Sequence, residues 1–191
     1  MGILAALKNG KWQDMLLMAI ATIGVTIPSF VIASVLIYVF SFKLNVLPTF
    51  GLDSWKSYIL PVIAMGGYSV SYLARLMRSS LLEVMGQDYI RTARAKGLTE
   101  FAVVTKHALR NALIPIVTII ALNFGSLIGG AVVTESVFNW PGIGRYLVDS
   151  VRYRDYPVIQ GVTMITVASV VVMNLVGEMI IARINPKIRF D

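Results

Sequence analysis

The chain of 191 residues contains no cysteine and a single histidine. The first absence excludes a disulfide framework and thiolate chemistry. The second excludes a histidine-based metal cluster. Charge is scarce too: 14% of residues are Asp, Glu, Lys or Arg, against about 25% in soluble domains. No G-x-x-x-x-G-K-[S/T] loop occurs, and the Gly10-Lys11 pair is followed by Trp12. Nucleotide phosphates are therefore not expected to bind by that route. No Ser/His/Asp constellation is readable, and His107 reads as a polar residue at a helix end. No catalytic, cofactor-binding or metal-ligating residue is expected, and the chain by itself is not expected to be an enzyme.

What the chain has in quantity is apolar surface: 57% of residues are hydrophobic and the mean hydropathy is +0.74. Residues 15–42, 57–74, 111–134 and 156–177 are free of Asp, Glu, Lys and Arg. About 20 residues cross a bilayer core. The pattern predicts an all-α, polytopic helical membrane protein with four transmembrane helices in one domain over 1–191. The spans are expected at about 15–42, 57–77, 111–134 and 156–182. The second runs on through Arg75 toward Arg78, whose long side chains can reach the interface. A soluble helical bundle would be left with too little polar surface. A cleavable leader is not expected, because no small-residue cleavage site follows Lys8, Lys11 and Asp14.

The net charge of +7 raises nucleic acid as a partner. The basic residues gather beside the apolar runs, however, and this points to membrane orientation and lipid, not nucleic acid. Segments 1–14, 75–110 and 178–191 hold two, seven and three Lys or Arg; segments 43–56 and 135–155 hold two and three. The positive-inside rule then puts both termini and loop 78–110 in the cytoplasm, with loops 43–56 and 135–155 external. Trp12, Trp55 and Trp140 lie near span ends, as interfacial aromatics do.

Inside the spans, Pro28 in Thr26-Ile-Pro-Ser29 removes a backbone donor and bends the helix, either as a packing kink or as a hinge beside a translocation path. Asn123 is a pathway residue or interhelical glue. Gly125 and Gly129 form a small-xxx-small pattern that allows close helix approach. Ionisable residues are absent from the four runs, which speaks against a stand-alone secondary transporter or channel. In segment 135–155, the turn Trp140-Pro141-Gly142 precedes Ile143, Leu147, Val148 and Val151 at helical spacing. A short interfacial helix is expected there.

The longest polar island is residues 88–115. Asp88 is a candidate N-cap, with Ile90, Ala93 and Gly97 near one face of the helix that follows. Gly97 suits a left-handed position after that helix. Thr99 caps a second helix, with Phe101, Val104, Ala108 and Leu109 on one face and Lys106 and Arg110 pointing away. The expected result is a helix–glycine–helix elbow whose apolar face is exposed to the cytoplasm. It fits a protein groove or lipid headgroups equally well.

Here the residues resemble a known family. Arg91-Thr-Ala93, then Gly97, then His107-Ala-Leu-Arg110, resembles the cytoplasmic loop of ABC importer permeases. That family's signature is Glu-Ala-Ala, three residues, Gly, nine residues, Ile-x-Leu-Pro; the spacing is kept and several letters are not. Arg-Thr-Ala-Arg-Ala-Lys-Gly97 and Lys106-His-Ala-Leu-Arg-Asn-Ala-Leu-Ile-Pro115 are similar to the dipeptide/oligopeptide/nickel permeases, in particular the first of their two permease subunits. Glu135-Ser-Val-Phe-Asn-Trp-Pro-Gly-Ile-Gly144 and Arg154-Asp-Tyr-Pro-Val-Ile-Gln-Gly161 are similar to the same subunit. The resemblance implies a type I ABC importer permease-like fold in a bacterial or archaeal inner membrane. It implies a second permease subunit, cytoplasmic ATPase subunits that hydrolyse the ATP, and an extracytoplasmic substrate-binding protein. It also implies that Asp88, Arg91, Ala93, Gly97, Phe101, His107 and Arg110 belong to an ATPase-coupling loop. Such permeases usually carry further N-terminal spans before the stretch where this chain begins, so a fragment or truncated gene that does not transport is the other expectation.

Overall fold

The computed structural model describes residues 1–128 and 132–184. Among them the regular structure is helical throughout, as an all-α membrane fold requires. Two helices, Trp55–Met85 and Tyr156–Ile180, are long and apolar enough to span a bilayer alone, and two bent pairs raise the number to four.

In chain order, α1 is Gly2–Leu7 and α2 is Trp12–Thr26. The first predicted span is not one kinked helix. It is broken: Pro28 is extended (φ −58, ψ 141) and α3 restarts at Ser29–Leu36, widening into a π-helical turn over Ile37–Lys43. Pro28 has no N–H to continue the ladder, and both Val31 and Ile32 donate to its carbonyl instead, at 3.0 and 3.2 Å. A 3-10 turn, Trp55–Tyr58, leads into α4, Ile59–Met85. That helix extends well past residue 77, because Leu76, Met77, Leu81, Leu82, Val84 and Met85 continue an apolar stripe that the elbow covers. The cytoplasmic loop expected from residue 78 is thus helical as far as Met85.

The elbow comprises α5, Asp88–Ala95, then α6, Glu100–Ala102, a π-helical segment Val103–Ala108, and α7, Leu109–Ala112. After Leu113 the axis bends by 45° into α8, Ile114–Ile128. Pro115 falls in the first turn of α8, where its missing donor costs nothing. Then come α9, Val132–Val137, α10, Ile143–Tyr153, and α11, Tyr156–Ile184. Helix α10 is the short amphipathic helix expected after Trp140-Pro141-Gly142. Asp155 accepts a hydrogen bond from Val158 N at the start of α11. Gly125 lies within α8; Gly129 lies outside the described residues, as do residues 185–191.

The chain divides into two compact units. The first contains Met1–Gly24, Val70–Ala121 and the chain from Gly177; the second contains Val25–Ser69 and Leu122–Val176. The core of the first is Ala6, Met77, Leu81, Ile90, Ala93, Val103, Ala108, Ala112 and Ile116. Helix α1 approaches α4 so closely that a methyl group on Gly2 would collide with the Ala74 carbonyl and Met77. The core of the second is smaller: Ala33, Leu60, Ala64 and Phe138, flanked by Trp140 and others. Trp140 packs edge-to-face on Tyr58 with ring centroids 5.1 Å apart.

Candidate functional site

The elbow turns at Gly97, whose φ is +78. A Cβ there would meet nothing within 4 Å, so the constraint is backbone conformation and not space. Gly97 N donates to the Arg94 carbonyl at 2.9 Å and closes α5. On the far side, the Thr99 hydroxyl accepts from Ala102 N at 3.4 Å and opens α6. Across the turn, Arg94 Nη2 and Nε reach the two carboxylate oxygens of Glu100 at 2.7 and 3.1 Å. This fork ties one arm of the elbow to the other. The hydrogen bond from Arg94 holds the Glu100 carboxyl below its usual titration range.

Two expectations about the elbow fail. Asp88 is not the cap: Gln87 takes that position without a side-chain bond, and Asp88 starts the helix in loose, exposed contact with Arg91 at 3.6 Å. More consequentially, the apolar face is not exposed. Ile90, Ala93, Val103, Val104 and Ala108 are all buried, most of them in the first unit's own core. The apolar periodicity was legible; its occupant was not, because α4 extends far enough to fill the face itself. Phe101 parts company with Val104 and Ala108. It lies in the first turn after Thr99, ahead of the packed residues, and stays 79% exposed. Leu98, on the turn beside Gly97, is 41% exposed. Arg91, His107 and Arg110 are exposed as well. The free apolar surface of the elbow is thus a knob at its turn and not a stripe along its helices.

Sequence reasoning also missed a clamp. Arg78 Nε and Nη2 meet Asp14 Oδ1 and Oδ2 at 2.6 and 2.7 Å, a bidentate pair, and Nη2 reaches Asn9 Oδ1 at 2.9 Å. Gly10 N donates to the same carboxylate at 3.0 Å. Asp14 is 3% exposed. The planar guanidinium fits this fork as a lysine could not. The available signal was a lone carboxylate at the head of an apolar helix, which needs a cation nearby; nothing pointed to the cation being Arg78.

In the second unit, a cleft of about 610 Å³ opens at the helix break, lined by Val25, Thr26, Ile27, Pro28, Ser29, Met65, Tyr68, Val132, Val133 and Thr134. It brings Pro28 together with α4 and α9. Asn123 is half-buried in α8 and is not part of this lining. Glu135 also acquires a role that sequence reasoning did not assign. Its carboxylate accepts from Arg145 N at 2.8 Å, in the first turn of α10. The carboxylate comes so close to Gly142 that a Cβ there would overlap it, and a Cβ on Gly144 would strike Val132 at 2.6 Å. The Glu135 to Gly144 stretch is therefore one interlocked turn: the acid satisfies an orphan donor of the helix that the glycines let it approach. Among the described residues no cluster of His, Asp and Glu suits a metal ion.

The family model for a binding-protein-dependent transport system inner membrane component matches residues 1–190. The chain belongs to that family. It is also similar to the glutathione transport system permease proteins GsiC of Escherichia coli (strain K12), Shigella dysenteriae serotype 1 (strain Sd197) and Salmonella paratyphi A (strain ATCC 9150 / SARB42), at 50% identity in each case. The matches cover 189 residues, 99% of this chain and 62% of each relative. The chain thus spans less than two thirds of the length of those permeases.

Proposed function

We propose that the chain is a membrane-spanning permease subunit of an ATP-binding-cassette importer, that its cargo is a small peptide, and that it works with a separate cytoplasmic ATPase, a second permease subunit and an extracytoplasmic binding protein. Both termini and the elbow face the cytoplasm in this reading, and the turn before α10 faces outside. The observation that carries it is the knob at Gly97. Leu98 and Phe101 are held out of the core by a left-handed turn that Arg94–Glu100 braces. An exposed aromatic on a braced turn is the kind of anchor that fills a pocket in a partner protein. The elbow's rear face is packed onto α4, so force on the knob reaches a helix that carries the span. The peptide cargo rests on the names of the relatives.

The test is recovery of the ATPase subunit with affinity-tagged permease at matched membrane levels. Phe101→Ala is expected to reduce recovery about tenfold or more, the loss of a hot-spot side chain. Gly97→Val, strained at positive φ, is expected to reduce it as well. Lys106→Ala is expected to do little. Wild-type recovery with both Phe101→Ala and Gly97→Val overturns the docking role. Loss with Lys106→Ala and not with Phe101→Ala would favour an elbow that lies on anionic headgroups.

A further inference from the structure

We infer that the cleft at Pro28 is a ligand site for the uncharged, amide-bearing portion of the cargo; this deepens the permease reading above and rests on it. The cleft forms where a candidate span is interrupted. Ser29 belongs to α3 and no longer continues α2, so the Val25 carbonyl in the cleft wall loses the donor that would stand four residues on. At the restart, Ser29 and Phe30 occupy the first positions of α3, where N–H groups have no intrahelical acceptor. At membrane depth, backbone groups of this kind persist only where protein or a polar cavity meets them. The break thus places acceptors from the end of α2 and donors from the start of α3 beside one cavity. An amide presents one donor and one acceptor and complements both.

The rest of the lining supports the same class. Thr26, Ser29, Tyr68 and Thr134 carry hydroxyls, Val25, Ile27, Met65, Val132 and Val133 are apolar, and none of the ten lining residues is charged. An isolated carboxylate or ammonium would enter without a counter-ion, at a heavy desolvation cost. A neutral peptide group flanked by small side chains would not. The volume of about 610 Å³ lies within the range of small-molecule sites.

The experiment uses the assembled transporter in proteoliposomes and exploits the absence of native cysteine. Val133→Cys, half-exposed in the cleft wall, and Ser54→Cys, exposed elsewhere, are alkylated separately during ATP-driven turnover. S-methylglutathione and trialanine are expected to slow labelling at position 133 and not at 54, while succinate, which is charged at both ends and has no amide, slows neither. Ser29→Ala with Thr134→Val is expected to raise the half-protecting peptide concentration about fivefold, the loss of one neutral hydrogen bond. Peptide uptake without protection at 133 overturns the site and leaves the permease reading standing. Equal protection by succinate overturns the amide assignment. Absence of both uptake and peptide-stimulated ATP hydrolysis overturns the permease reading, and the site with it.

Discussion

The two units of this chain handle polarity in opposite ways. The first pairs its charges, Asp14 with Arg78 and Arg94 with Glu100, and closes a continuous core around the elbow. The second lines its cleft with uncharged hydroxyl and apolar side chains around a helix break, and its core is a small group of residues. A close-packed body transmits strain. A cleft bordered by a broken helix has room to change shape.

The sharpest break of that contrast comes from a single charge inside the first unit. Ala93→Asp buries an unpaired carboxylate against Met77 and Leu81, which costs several kcal/mol even after relaxation. Loss of membrane accumulation is expected, read by immunoblot, whereas Phe101→Asp, on the exposed knob, should accumulate normally. If Ala93→Asp accumulates at wild-type levels, the elbow is not packed as described.

Next in size is Arg78→Ala. It leaves the Asp14 carboxylate with only the Gly10 amide and should lower the thermal stability of the detergent-solubilised protein. Arg78→Lys should recover only part of the loss, because an ammonium cannot fork. Complete recovery by lysine would show that charge and not geometry holds the clamp. In the second unit, Gly144→Ala drives a methyl group into the Val132 side chain and up against its Cα. Overpacking of this kind costs about 1–3 kcal/mol, and the same thermal assay should register it. Tolerance there would mean that the turn before α10 gives way more readily than the first unit does.

The smallest effect is expected at the elbow's brace. Glu100→Gln should cost about 0.2–1 kcal/mol, as exposed pairs do. The sign with pH follows from the lowered carboxyl. The pair contributes fully above the ordinary titration range of glutamate, and its contribution is lost as pH falls through the lower range held in the fold. ATPase recovery by wild type should therefore weaken only as pH falls below the ordinary glutamate range, while Glu100→Gln stays flat across it. Identical pH profiles would remove Arg94–Glu100 from the elbow's support.

Local chemistry made much of this legible before any coordinates. Four charge-free runs required a bilayer. Gly97 announced a left-handed turn, Thr99 a helix start, and Trp140-Pro141-Gly142 a turn with a helix behind it. Each is decided by backbone sterics or by hydrogen bonds within a few residues. The errors are of one kind. Ala93 and Phe101 both read as members of an exposed apolar face; one is in the core and the other is in solvent, because periodicity identifies a face without naming what covers it. Helix α4 covers it, by continuing to Met85.

Composition and local propensity determined that this protein is helical, membrane-embedded, distorted at Pro28 and bent at Gly97, since each depends on the residue itself and its nearest neighbours along the chain; that the distortion at Pro28 is a full break was not legible there. Tertiary structure alone decided that Asp14 meets Arg78, that Glu135 satisfies the start of α10, and that a cleft stands open at the broken helix. Those outcomes depend on which distant side chains and backbone groups come within about 3 Å of one another, a distance that no spacing along the chain encodes.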